Sequence, residues 1–147
     1  MPLHRRRRHF EEAPVDPRRL LLVDPHPHVR RALRARLAQV PGINVAGETG
    51  EADEALRMAV HLRPDFVVLE PKHLDAIRLV RHLCEVIPES CIVVYTSYPD
   101  LWEEEALLGA GARAYLVKTF DLGSLSRWLR GSVLPEAGGN CGGTFLF

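Results

Sequence analysis

Several shortages in this 147-residue sequence each remove a class of function. Cysteine is scarce: Cys84, Cys91 and Cys141 form no CxxC pair and leave one thiol without a mate. Neither a zinc site nor a disulfide framework is expected from them, and a reducing cytoplasm is the simplest setting, with Cys84 and Cys91 as small core residues. Long apolar runs are missing too. Segments such as residues 20–23 have strand length, far from the ~20 residues that cross a bilayer. Net charge is nil, with 19 basic against 19 acidic side chains, so no global field draws the chain to nucleic acid or membrane. Arg5, Arg6, Arg7 and Arg8 offer the arginine pair of an export signal, but the acidic, proline-bearing stretch 11–17 follows where an apolar core would be needed. Glycine is absent from the turn after residues 20–23. Pro25 and Pro27 stand there instead of a phosphate-cradling loop, which disfavours a nucleotide enzyme.

What is present is an ordinary composition, 46% hydrophobic and 26% charged, in a chain long enough for one core. Residues 1–19 are polar, arginine-rich and broken by Pro14 and Pro17, and are expected to form a disordered arm. From residue 20 strand-like and helix-like stretches alternate five times. Residues 20–23, 43–47, 66–69, 91–95 and 113–117 are apolar strands. Between and after them come helical patterns over 29–40, 51–62, 74–83, 100–108 and 122–129. Val29, Leu33, Leu37 and Val40 mark one face of the first helix. Pro41-Gly42, Pro64, Pro88, and Gly109 with Gly111 act as stops. Strands apolar on both faces, each followed by a helix, imply a parallel sheet covered on both sides. The expected architecture is a doubly wound, flavodoxin-like α/β domain over 20–132, strand order 2-1-3-4-5, with its site at the carboxyl ends of the strands. Residues 133–147, rich in glycine and ending in Phe145, Leu146 and Phe147, are expected to form a flexible tail.

The strand exits carry polar groups in order: Asp24, Glu70, Thr96 and Lys118. Leu21-Leu22-Val23-Asp24-Pro25-His26-Pro27-His28-Val29 resembles the opening of response-regulator receiver domains of the nitrate-regulator type. Tyr95-Thr96-Ser97-Tyr98 resembles their fourth-strand exit, and Gly109-Ala110-Gly111-Ala112-Arg113-Ala114-Tyr115-Leu116-Val117-Lys118 their fifth-strand segment. The likeness spans about residues 20–130. It implies that Asp24 is a metal-site acid, Thr96 a hydroxyl for a phosphoryl oxygen, Lys118 the amine beside the acceptor carboxylate, and Tyr115 an aromatic switch that turns inward on activation. Forming an acyl phosphate crowds anionic oxygens together, so a cation and an ammonium are needed to neutralise them.

Three departures weaken that chemistry. Pro25 stands where the family has a second acid and offers no side-chain ligand, so Mg²⁺ is not expected. Glu70 stands where the family has the phosphorylated aspartate, its carboxylate carried one methylene further. The segment 70–75 is about three residues shorter than the family's loop, which supplies a backbone carbonyl to the metal. The expectation is a stand-alone pseudo-receiver that is not an enzyme and signals by protein–protein contact without aspartate phosphorylation. Glu70 then either pairs with Lys118, whose buried charge needs a partner, or points to solvent.

Rival readings stay open. A receiver that still answers to phosphate, through Asp75 for example, is one. A flavodoxin-like ligand- or metal-binding domain is another, with His26, His28 and His73 near Asp24 and Glu70, or with Asp24-x-His26 as a fragment of a cobalamin motif that lacks its glycine at Val29. The arginine run would suit nucleic acid or an acidic partner but has no interleaved aromatics, and direct DNA binding is not expected. Trp102, Leu107, Leu108, Tyr115 and Trp128 outline a helix-4, strand-5, helix-5 face for a signalling partner or a second copy, with both tryptophans as anchors or as caps on the core.

Overall fold

A computed structural model describes residues 16–119 and 122–133. The arginine run, Cys141 and residues 145–147 lie outside the described residues. The elements alternate strictly: β1 (Arg18–Val23), α1 (Pro27–Leu37), β2 (Ile43–Thr49), α2 (Ala52–Leu62), β3 (Phe66–Leu69), α3 (Ala76–Val86), β4 (Cys91–Thr96), α4 (Leu101–Ala110), β5 (Ala114–Val117) and α5 (Gly123–Val133). All strand pairs are parallel, in the order β2-β1-β3-β4-β5.

Side-chain alternation along the strands separates two apolar layers. Leu21, Val23, Val67, Leu69, Ile92 and Val94 face α2, α3 and α4, where they meet Ala55, Ala59, Leu79, Val80, Leu83 and Leu107. Leu20, Leu22, Phe66, Val68, Val93 and Tyr95 face α1 and α5, where they meet Leu33, Leu37, Leu125 and Leu129. Every residue of β3 and β4 is buried, which is why these strands read as unbroken apolar runs.

Boundaries moved where tertiary partners took over. β1 begins at Arg18, two residues inside the expected arm, because the Arg18 N–H donates to the Gly42 carbonyl at 2.8 Å and the Arg19 N–H to Asp65 Oδ2 at 2.8 Å. α1 begins at Pro27, whose missing N–H costs nothing in a first turn, and ends at Leu37. Val40 is buried from the following turn, with its N–H donating to the Leu37 carbonyl. Val29, expected on the buried face of the first helix, is 38% exposed, as is Ile77 on α3. α3 starts at Ala76 because Asp75 caps it, accepting from the Arg78 N–H. Gly109, expected to close α4, lies within it, and Gly111 alone provides the stop, at φ 124°.

Candidate functional site

Four polar side chains converge at the carboxyl edge of the sheet, as the parallel order requires. Asp24 and Thr96 are fully buried, Glu70 is 3% exposed, and the Lys118 side chain is 11% exposed. Lys118 Nζ stands 2.9 Å from Asp24 Oδ2 and 2.8 Å from Glu70 Oε2. The first contact is an aligned hydrogen bond. The second is a charge contact without hydrogen-bond geometry at Glu70 Oε2. Glu70 Oε1 accepts from the Thr96 hydroxyl at 3.0 Å and from the Lys72 N–H at 3.3 Å. Glu70 therefore points inward, and the solvent-facing alternative is excluded. Asp24 Oδ1 accepts from the His26 N–H at 2.9 Å and lies 3.2 Å from His26 Nδ1, while Arg30 grips the Asp24 carbonyl at 2.7 Å. Beneath Lys118 lies the Tyr95 ring, 5.9 Å from the ammonium, which adds cation–π attraction in a buried setting.

Both carboxylates face the Lys118 ammonium, and Pro25 beside them offers no side-chain oxygen. His26 and His73 do meet edge to face, with centroids 5.5 Å apart. The β3–α3 connection is a tight turn in which the Leu74 N–H donates to the Pro71 carbonyl and His73 adopts φ 63°.

A second cluster links this pocket to α4. The buried Tyr115 hydroxyl donates to Glu103 Oε1 at 2.8 Å and accepts from the Asp100 N–H at 3.1 Å. Glu103 Oε2 also pairs with Lys72 Nζ at 3.2 Å, and Lys72 is the residue whose N–H holds Glu70. Burial is the main cause that raises the Tyr115 pKa above its ordinary value, opposed by the Asp100 N–H and reinforced by Glu103. The sequence reading missed Lys72, Glu103, Arg30 and Tyr95. Only Glu103 carried a signal, as an acid in the first turn of a helix, and that placement is common for purely local reasons.

The residues of the expected interaction face differ in exposure. Tyr115 is 5% exposed and turned inward, and Leu108 packs against the core. Trp128 lies in the α1/α5 layer, half-buried, with its ring 5.8 Å from Phe66 at a 74° tilt. Of the residues expected on that face, Trp102 stands free at the surface, 83% exposed.

The response regulator receiver domain model matches residues 20–130. The transcriptional regulatory protein LiaR of Bacillus subtilis is 33% identical over 120 residues, covering 80% of this chain and 57% of that protein. The DNA-binding transcriptional activator DevR/DosR of Mycobacterium tuberculosis is 37% identical over 105 residues, covering 68% of this chain and 47% of that protein. The chain thus spans about half the length of the curated relatives it matches. Among solved structures, a LuxR-family two-component response regulator from Aurantimonas superposes with TM-score 0.73 at 28% identity, over 80% of this chain and 85% of that one. The receiver domain of NarL from Mycobacterium tuberculosis superposes with TM-score 0.73 at 17% identity, over 81% and 98%, a likeness of fold. The sheet order, the strand-exit residues and these matches agree: the chain belongs to the response regulator receiver domain family of two-component signalling.

Proposed function

We propose that this receiver signals by binding, with Glu70 occupying the pocket that a phosphoryl group would otherwise fill. The observation that carries the reading is the position of the Glu70 carboxylate, 3.0 Å from the Thr96 hydroxyl and 2.8 Å from Lys118 Nζ. These are the two groups that the family resemblance assigns to phosphoryl recognition. The extra methylene of Glu70 delivers a fixed anion to both. Phosphorylation at residue 70 would require one of its oxygens to attack phosphorus while Thr96 and Lys118 receive the incoming anion. Here the Thr96 hydroxyl already donates to Glu70, Lys118 is hydrogen-bonded to Asp24 and in charge contact with Glu70, and Pro25 leaves a metal one charged ligand short. Tyr115, inward and held by Glu103, supports the further reading that Glu70 keeps the switch in its turned-in position. Output then passes through the exposed surface around Trp102.

The test is an NMR titration of the protein with Mg²⁺ and then beryllofluoride, the stable phosphoryl mimic. The expected result is a spectrum unchanged at Asp24, Glu70 and Tyr115. Shifts that spread from the pocket to Tyr115 would mean a phosphate-responsive receiver and would end this reading.

A further inference from the structure

Three large apolar side chains stand in water where the chain leaves β4 and enters α4. Tyr98 is 69% exposed, Leu101 82% and Trp102 83%. Large apolar side chains exposed close together along the chain are a signal of a contact surface. The rim of the patch is acidic. Asp100 caps α4 and is exposed, and Glu104 and Glu105 follow Leu101 at i+3 and i+4, with Glu105 also at i+3 from Trp102. Glu103 takes no part in the rim, because Lys72 and Tyr115 hold it inward. A partner suited to this surface must be cationic and must shed water readily onto an aromatic ring. That describes arginine better than lysine, whose ammonium is a compact and strongly hydrated charge.

The chain carries such a segment itself: His4-Arg5-Arg6-Arg7-Arg8-His9-Phe10. It lies outside the described residues, ahead of β1, and its reach decides whether it can meet α4. β1 rises about 20 Å, β4 lies two strand spacings or about 10 Å away, and the helix layer adds about 10 Å, so Arg18 and Trp102 are about 25 Å apart. An extended chain covers about 33 Å between Arg8 and Arg18 and about 43 Å between Arg5 and Arg18, enough to follow the surface.

We infer that residues 4–10 dock on the Trp102 patch of the same chain, with a guanidinium over the indole and its neighbours paired with Glu104 and Glu105. Docked there, the arm covers the surface through which α4 would meet any other protein, and a binding partner must displace it. The inference concerns the outside of α4 and holds whether or not the pocket answers to phosphate.

The test follows the Trp102 indole N–H by NMR in the full chain, with Trp102→Phe to assign the signal. At low salt the wild-type signal should differ from that of a variant with Arg5, Arg6, Arg7 and Arg8 all replaced by serine. The difference should vanish toward about 0.5 M NaCl, where screening acts over about 4 Å. It should be independent of protein concentration. Glu104→Lys together with Glu105→Lys should abolish it as well, with the amide signals of Leu22 and Val93 confirming an intact sheet. Identical wild-type and serine-variant signals at low salt would overturn the inference. A difference that grows with protein concentration would overturn it too, because the arm would then sit on a second copy. So would a Trp102 shift seen only after nucleic acid is added. None of these readouts depends on beryllofluoride, so this inference and the pocket reading fail separately.

Discussion

Lys118 sets one ammonium against two buried carboxylates at once, and removing its charge leaves them facing each other. Lys118→Met keeps most of the apolar stem and deletes only the ammonium. Breaking a buried ion pair from one side is expected to cost about 3–5 kcal/mol, measured by urea unfolding. A loss below about 1 kcal/mol would mean that water already screens the pair as it does at a surface. Tyr115 gives a second residue-scale prediction. Tyr115→Phe removes the hydroxyl that joins Asp100 to Glu103 and should cost about 1–2 kcal/mol near neutral pH. Because the folded protein raises the Tyr115 pKa above the ordinary value of 10.0, the folded state holds the phenolic proton more tightly than the unfolded state does. The stability this gives is complete below pH 10 and is lost as pH climbs from there toward the folded value. The gap between wild type and Tyr115→Phe should therefore narrow above about pH 10, read from unfolding midpoints at neutral and alkaline pH.

At the scale of elements, the end of α4 separates two glycines that look alike in the sequence. Gly111 has φ 124°, and a Cβ there would come within 2.5 Å of Cys84 Sγ. Gly111→Ala meets both backbone strain and a clash, and should lose about 2–4 kcal/mol in chemical denaturation. Gly109 has nothing within 4 Å of a Cβ, so Gly109→Ala should gain about 0.5–1 kcal/mol by favouring the helix. Equal effects at the two positions would contradict the observed helix end. Helix and strand types were readable because apolar spacing follows the period of each element. Their faces and ends were less so. Val29 fits the apolar spacing of α1 yet is 38% exposed, and the buried stripe of the helix narrows to Leu33 and Leu37. Trp128 shows the same limit. The sequence places it on α5, and only packing turned its ring onto Phe66.

For the whole molecule, ligand linkage gives the broadest check. A metal bound only by the folded protein with Kd of about 1 mM would add about 1.4 kcal/mol at about 10 mM Mg²⁺. The melting temperature of this chain is expected to stay unchanged under that titration, and Glu70→Asp alone should not alter the result, because Pro25 still lacks a ligand oxygen. A clear rise in either protein would place a cation in the pocket. The sequence by itself determined a parallel sheet covered on both sides, since strands apolar on both faces are each followed by a helix, and the order 2-1-3-4-5 was one that five such units suit. By the same logic it determined that Asp24, Glu70, Thr96 and Lys118 share one edge, because parallel strands end on the same side. What it left undecided was where each side chain points. Only the tertiary structure turned Glu70 inward to Thr96 and Lys118, joined Lys72 to Glu103 across 31 positions, buried Tyr115 and left Trp102 in water. The reason is physical: backbone periodicity fixes which residues reach an edge, whereas the orientation of a polar side chain there is settled by partners that are distant in sequence and become neighbours only when the sheet closes.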